Sequence, residues 1–201
     1  MSFVVLGSGA LAREMIAWIR MDPSGPESIA YCFDPYTELT EVAGVPVHKE
    51  PKDLSGRKFL IGLGNPSWRE QMASLALKNG AIAGKYIHST AVVSERVVIG
   101  DGVFVGPRVT LSCDVTIGNY VHLNVAVGIG HDVCVGDYTV LLGSNAVNGN
   151  VSIGSLTTVG AGSVIHPGRH IGDSSTIGIG SVVIRNVRAG ASVFGNPAKV
   201  L

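Results

Sequence analysis

From Ile87 onward an aliphatic residue returns at every sixth position: Ile87, Val93, Ile99, Val105, Leu111, Ile117, Leu123, Ile129, Val135, Leu141, Val147, Ile153, Val159, Ile165, Ile171, Ile177 and Val183. No step is missed. Glycine often follows directly, as at 100, 106, 118, 130, 136, 154, 160, 172 and 178. Four residues past the aliphatic position stands a second small or β-branched residue, among them Val97, Val115, Val133, Thr157 and Ser163. A period of six is neither the 3.6 of an α-helix nor the two of a half-buried strand. It is the repeat of a parallel β-helix wound from hexapeptides, running here over roughly residues 87 to 187.

Residues 1–85 follow a different pattern. "SFVVLG" is a short β-branched run ending in glycine, which predicts a strand. In the following "GSGALAREMIAWIR", Leu11, Met15, Trp18 and Ile19 recur at helical spacing. "SIAYCFDP" and "RKFLIGLGNP" are two further strands, and "SWREQMASLALKNG" is a helix with a glycine stop. Strands alternating with helices predict a small α/β, Rossmann-like domain over 1–85. The all-β domain then occupies 86–201.

Composition narrows the function classes. Lys+Arg and Asp+Glu both total 15, so no basic excess points to nucleic acid or an anionic membrane. Only 15% of residues are charged against 46% hydrophobic, so much surface is expected to be buried, some of it between subunits. Three cysteines, Cys32, Cys113 and Cys134, with no CxxC spacing, are expected to be reduced thiols of a cytoplasmic protein. The first residues lack a basic region followed by an apolar run, so no signal peptide is expected.

The repeat resembles the hexapeptide-repeat family of left-handed β-helices. That resemblance implies a triangular prism with three hexapeptides, or 18 residues, per coil. It also implies a trimer with active sites in the clefts between prisms. Residues 18 apart should then stack on successive coils, about 4.8 Å apart. "GIGHDVCVG", residues 128–136, sets His131 beside Asp132 at a turn position in an otherwise apolar run. The ruler stacks His131 on Gly149, then Pro167. Gly143, Ala161 and Ile179 form another column. Small residues in both columns predict a bare groove beside the histidine, suited to a long thin ligand such as coenzyme A. No histidine stacks on His131, because positions 113 and 149 are Cys and Gly. The three ligands of a catalytic zinc are therefore not provided, and no metal is expected. Cys134 is expected to pack rather than to act as a nucleophile.

The stretch "LNVAVGIGHDVCVGDYTVLLGSNAVNGNVSIG" and the C-terminal "FGNPAKV" resemble the sialic acid O-acetyltransferase and bacillosamine N-acetyltransferase group. The resemblance implies that His131 is the general base and that Asp132 orients its ring and favours the protonated form. It places the oxyanion donor at the Gly149 N–H and puts Asn124 near the acceptor. It lines the coenzyme groove with Val140, Gly143, Ala161 and Ile179, closed by Asn196, Pro197 and Lys199. It makes the first domain a nucleotide-sugar site. Gly7, Gly9, Ala10 and Leu11 cradle phosphates there, and Asp34, Pro35, Gly64 and Asn65 line the same crevice. G-x-G-x-x-A after a strand also fits NAD, with Asp34 on a ribose. Leu11 and Val140 stand where the group often has histidine. The implied activity is acetyl transfer from acetyl-CoA to the amino group of a nucleotide-linked sugar. A sugar O-acetyltransferase and a non-catalytic, nucleotide-sensing trimeric scaffold are the alternatives.

Overall fold

The computed structural model describes residues 2–24 and 28–201. The first domain contains β1 (Ser2–Leu6), α1 (Ala10–Met21), β2 (Ser28–Phe33), β3 (Glu41–Val42) and β4 (Val45–His48). A 3₁₀ turn at Pro51–Leu54, β5 (Lys58–Ile61), α2 (Pro66–Lys78) and β6 (Ile82–Ala83) complete it. One six-stranded sheet runs β3-β4-β2-β1-β5-β6, parallel throughout except for the β3–β4 hairpin. β1 is central, and Phe3 to Leu6 are all buried, as a parallel strand covered on both faces requires. The short β3–β4 hairpin and the edge strand β6 lie outside the three strands the sequence pattern predicts.

Seventeen two-residue strands follow, β7 (Tyr86–Ile87) to β23 (Val182–Val183), each ending on one of the periodic aliphatic residues. They stack as three parallel sheets, so the unit is a three-faced β-helix. Every pairing between them joins residues 18 apart, such as Thr110 with Gly128 and Ala146 with Val164. The first face presents Tyr86, Phe104, His122, Val140, Thr158 and Thr176 outward, and the second Val92, Thr110, Gly128, Ala146, Val164 and Val182. The third presents Val98, Thr116, Cys134, Ser152 and His170. The aliphatic residues and the second small residues fill the interior as one continuous core. Its apolar burial is the main stabilising term of this unit. β24 (Ser192–Gly195) and β25 (Ala198–Val200) close the last coil as an antiparallel hairpin.

The corners explain the glycines. A Cβ at Gly130 would sit 2.7 Å from the Gly149 nitrogen of the next coil, and one at Gly160 2.5 Å from that of Ile179. Real Cβ contacts are not that short, so a side chain at either of these two corners would clash with the next coil. Two residues later the chain enters the left-handed region, as at Asp114 (φ 59°), Asp132 (φ 57°) and Asn150 (φ 60°). Asp and Asn tolerate that conformation better than most side chains.

The first domain packs on the first face. Trp18 stacks on Phe104 with centroids 6.1 Å apart, and Phe59 on Tyr120 at 6.2 Å. The Tyr86 hydroxyl donates to Asp22 Oδ2 at 2.6 Å. Arg69 of α2 is fully buried at this junction. Its guanidinium donates to the carbonyls of Ile61 (2.9 Å), Leu63 (2.8 Å) and Tyr120 (2.8 Å). His122 is also fully buried, stacked on Phe104 at 5.1 Å, and neither ring nitrogen has a hydrogen-bond partner among the described residues. Burial, then the Arg69 charge, holds its pKa well below the usual histidine value.

Candidate active site

His131 and Asp132 sit on the corner between β14 (Gly128–Ile129) of the second face and β15 (Cys134–Val135) of the third. His131 Nδ1 lies 2.8 Å from Asp132 Oδ2. Because a carboxylate only accepts, this contact assigns the proton to Nδ1 and leaves Nε2 as the acceptor. Both side chains are about half exposed (55%), so a reactant can reach the ring.

The imidazole lies over Gly149 of the coil above. A Cβ added there would fall 2.5 Å from His131 Cε1 and closer still to Nε2. Only glycine leaves the ring that place. The Gly149 N–H makes no hydrogen bond among the described residues, while Asn150 N–H donates to His131 O and fixes the two coils together. A cleft of about 490 Å³ opens here along the second face, bordered by Thr110, Gly128, His131, Ala146, Asn148, Gly149 and Pro167. A base and an unused N–H donor thus meet in one open groove, the pairing that acyl transfer needs. Asn148 is a lining residue the sequence pattern does not reveal. Its Nδ2 donates to Ile165 O at 2.7 Å, which holds the cleft wall.

Three sequence expectations do not hold. The Gly143–Ala161–Ile179 column does not adjoin His131. It runs along the other edge of the second face, because residue 143 follows a strand of the first face (Val140–Leu141) and residue 131 a strand of the second (Gly128–Ile129). The two columns flank one face and do not merge into one groove within a single chain. Val140 is fully buried on the first face, one coil above His122, and has no surface for a coenzyme contact. Cys134, expected to pack, is exposed instead on the third face, because its place is the outward one of the strand. Cys32 and Cys113 are free thiols as well.

Asn124 lies at the first–second corner, in a separate cleft against α1 with Ala10, Leu11, Arg13, Glu14 and Leu142. It is buried, and its Nδ2 donates to Glu14 Oε2 at 3.3 Å. So the structure brings Asn124 to the start of α1 and not to His131.

In the first domain, Gly7 has φ 103°, and a Cβ there would meet Leu63 Cδ2 at 2.7 Å. Gly9 caps α1 with no side-chain bond, and the first helical N–H groups, at Ala10 and Leu11, have no partner among the described residues. Asp34 is already engaged: Oδ2 accepts from Ser8 N (3.1 Å) and Ser8 Oγ (2.6 Å), and Oδ1 from Tyr36 N (3.1 Å). Its observed work is to fix the glycine loop and the loop that continues through Pro35. Gly64 and Asn65 are exposed at the end of β5, and Asn65 Oδ1 caps α2 through Trp68 N at 3.0 Å. Asn196, Pro197 and Lys199 are exposed in the terminal hairpin. Among the described residues no group of three or more His, Cys, Asp or Glu is placed to hold a metal, and no helix is long and apolar enough to cross a membrane.

No family model and no curated protein sequence matches the chain. Solved structures do. A histidine-to-asparagine variant of perosamine N-acetyltransferase from Caulobacter crescentus, in complex with CoA and GDP-perosamine, superposes with a TM-score of 0.92. It shares 28% identity and is covered over 97% of its length by all of this chain. Over its whole length the chain is built like this N-acetyltransferase. WeeI from Acinetobacter baumannii AYE gives 0.90 at 26% identity, each chain covered completely. The acetyltransferase domain of PglB from Neisseria gonorrhoeae FA1090, in complex with acetyl coenzyme A, gives 0.89 at 24%, with all of this chain covering 98% of it. At that identity the third likeness speaks for the fold alone.

Proposed function

We propose that the protein is an acetyl-CoA-dependent N-acetyltransferase acting on the amino group of a nucleotide-linked amino sugar, in surface-glycan synthesis. The observation that carries this is the His131–Asp132 pair seated over Gly149, in a chain superposing end to end on the perosamine enzyme. Structures of that enzyme include variants with one histidine replaced by asparagine or alanine, bound to CoA and GDP-perosamine, which agrees with a histidine base.

In the step proposed, His131 Nε2 takes the proton as the acceptor nitrogen bonds to the thioester carbon. Asp132 holds the ring and supports the imidazolium that forms. The Gly149 N–H donates to the oxygen as it becomes anionic. Collapse breaks the carbon–sulfur bond, and the imidazolium returns its proton to the departing CoA sulfur. No acyl-enzyme is formed.

The same likeness supports a left-handed winding of the β-helix and a Rossmann-like first domain over 1–85 as the nucleotide-sugar site. A cytoplasmic homotrimer is part of the same proposal, resting on the hexapeptide-repeat resemblance. Oligomerisation accounts for an otherwise awkward geometry: Asn124 with the α1 cleft and His131 with its own cleft stand on different corners of one prism. A second copy joins them, with the Gly143–Ala161–Ile179 edge of one prism facing the His131 edge of the next.

The test is CoA release with purified protein, acetyl-CoA and GDP-perosamine. His131→Ala is expected to lose about a hundredfold or more in kcat. Undiminished turnover in that variant would overturn the assignment.

A further inference from the structure

Two large aromatic side chains stand exposed at the carboxyl edge of the first domain's sheet: Tyr36 (71%) and Trp68 (47%). They come from different loops. Tyr36 follows β2 through Asp34-Pro35, and Trp68 is in the first turn of α2, just past Gly64-Asn65. In the sheet β1 lies between β2 and β5. The two rings nevertheless meet edge to face, with centroids 5.8 Å apart and planes at 71°. They therefore reach toward each other across the end of β1, where the Gly7–Gly9 loop begins.

The backbone under each ring is fixed by a hydrogen bond. The Tyr36 N–H donates to Asp34 Oδ1, whose other oxygen binds Ser8 of the glycine loop. The Trp68 N–H donates to Asn65 Oδ1. So Asp34 ties the Tyr36 backbone to the glycine loop, Asn65 ties the Trp68 backbone to the start of α2, and both rings stay exposed. Among the described residues no other pair of exposed aromatic rings is in contact. Exposed aromatic rings at the same edge of the sheet as the open helix N–H groups suit a ligand with a flat π-system at one end and phosphates at the other. A nucleoside diphosphate has that form.

We infer that Tyr36 and Trp68 form the platform on which the base of the nucleotide-sugar substrate stacks. The inference rests on reading the first domain as a nucleotide site, and it adds how that site holds the base. Stacking needs no particular base edge, and the larger purine surface gains more from it than a pyrimidine.

The test uses the full-length protein with GDP, UDP and inorganic pyrophosphate as probes, measured by calorimetry and tryptophan fluorescence. GDP is expected to bind more tightly than UDP and to quench Trp68 emission. Trp68→Ala and Tyr36→Ala should each weaken GDP binding about tenfold, and pyrophosphate binding should stay within twofold. Trp68→Phe keeps a ring and should keep GDP affinity within about threefold while losing the quench; it also serves if the alanine variants fold poorly. GDP binding unchanged in both alanine variants overturns the platform and leaves the nucleotide site standing. So does a change of oligomeric state in those variants with GDP affinity retained, which would make the rings a subunit contact. If none of the nucleotides binds the wild-type protein, the nucleotide reading fails and the platform falls with it.

Discussion

Gly149→Ala isolates the placement of the base from everything else in the site. The Gly149 backbone is not in the left-handed region, so alanine is acceptable to it. The backbone N–H assigned to the oxyanion remains. What changes is one methyl group, 2.5 Å from His131 Cε1 and 3.0 Å from Cδ2. Ordinary contact begins near 3.4 Å, so the imidazole must retreat by close to 1 Å. It can do so only by swinging into solvent, which stretches the 2.8 Å bond to Asp132. A misplacement of about 1 Å costs on the order of a hundredfold in rate. The ring is half exposed, so the change in stability should stay within about 0.5 kcal/mol. The assay is CoA release at saturating acetyl-CoA and amino-sugar nucleotide, with thermal unfolding alongside. A variant that folds normally and keeps kcat within about threefold of wild type would refute the reasoning, because the ring cannot both vacate its seat and catalyse from it.

Other changes probe the surroundings. Asp132→Asn keeps a residue that tolerates φ 57° but removes the carboxylate from His131 Nδ1; kcat should fall about 10- to 100-fold with the unfolding midpoint unchanged. Arg69→Met leaves the carbonyls of Ile61, Leu63 and Tyr120 without their donor. At about 1 kcal/mol or more each, urea unfolding should show a loss of about 3 kcal/mol. His122 is held neutral by burial. Below about pH 6.5 the unfolded chain takes a proton that the native state refuses, so stability falls with acid by up to about 1.4 kcal/mol per pH unit. His122→Phe should flatten that slope between pH 7 and pH 5 in thermal unfolding, and an unchanged slope would place its origin elsewhere.

The unbroken step of six made the coil legible in the sequence, since one interior position must recur once per side of the prism. The step of 18 sets Gly149 against His131, because the coils stack in strict register. Depth and direction across the prism were less legible. Nothing in the repeat marks which face the first domain covers, so Val140 reads like any outward position and is in fact fully buried. Cys134 reads as apolar and small yet points outward. Asn145 occupies the place of a second small residue but is polar. It is buried because it donates to Leu142 O and Val159 O and accepts from Ser163 N, a solution invisible without the coil above it. Arg69 sits on α2 among residues that predict only a helix. Its partners come from two domains, and no local pattern announces them.

The central claim is that His131 drives acetyl transfer to a sugar amine, and the product tests it most directly. GDP-perosamine and acetyl-CoA are incubated with the protein, and the acetylated product is examined by mass spectrometry before and after hydroxylamine, which cleaves esters and spares amides. One acetyl group per CoA released is expected, resistant to hydroxylamine and absent with His131→Ala. A hydroxylamine-labile product, or the same amide formed at an undiminished rate by His131→Ala, would contradict it.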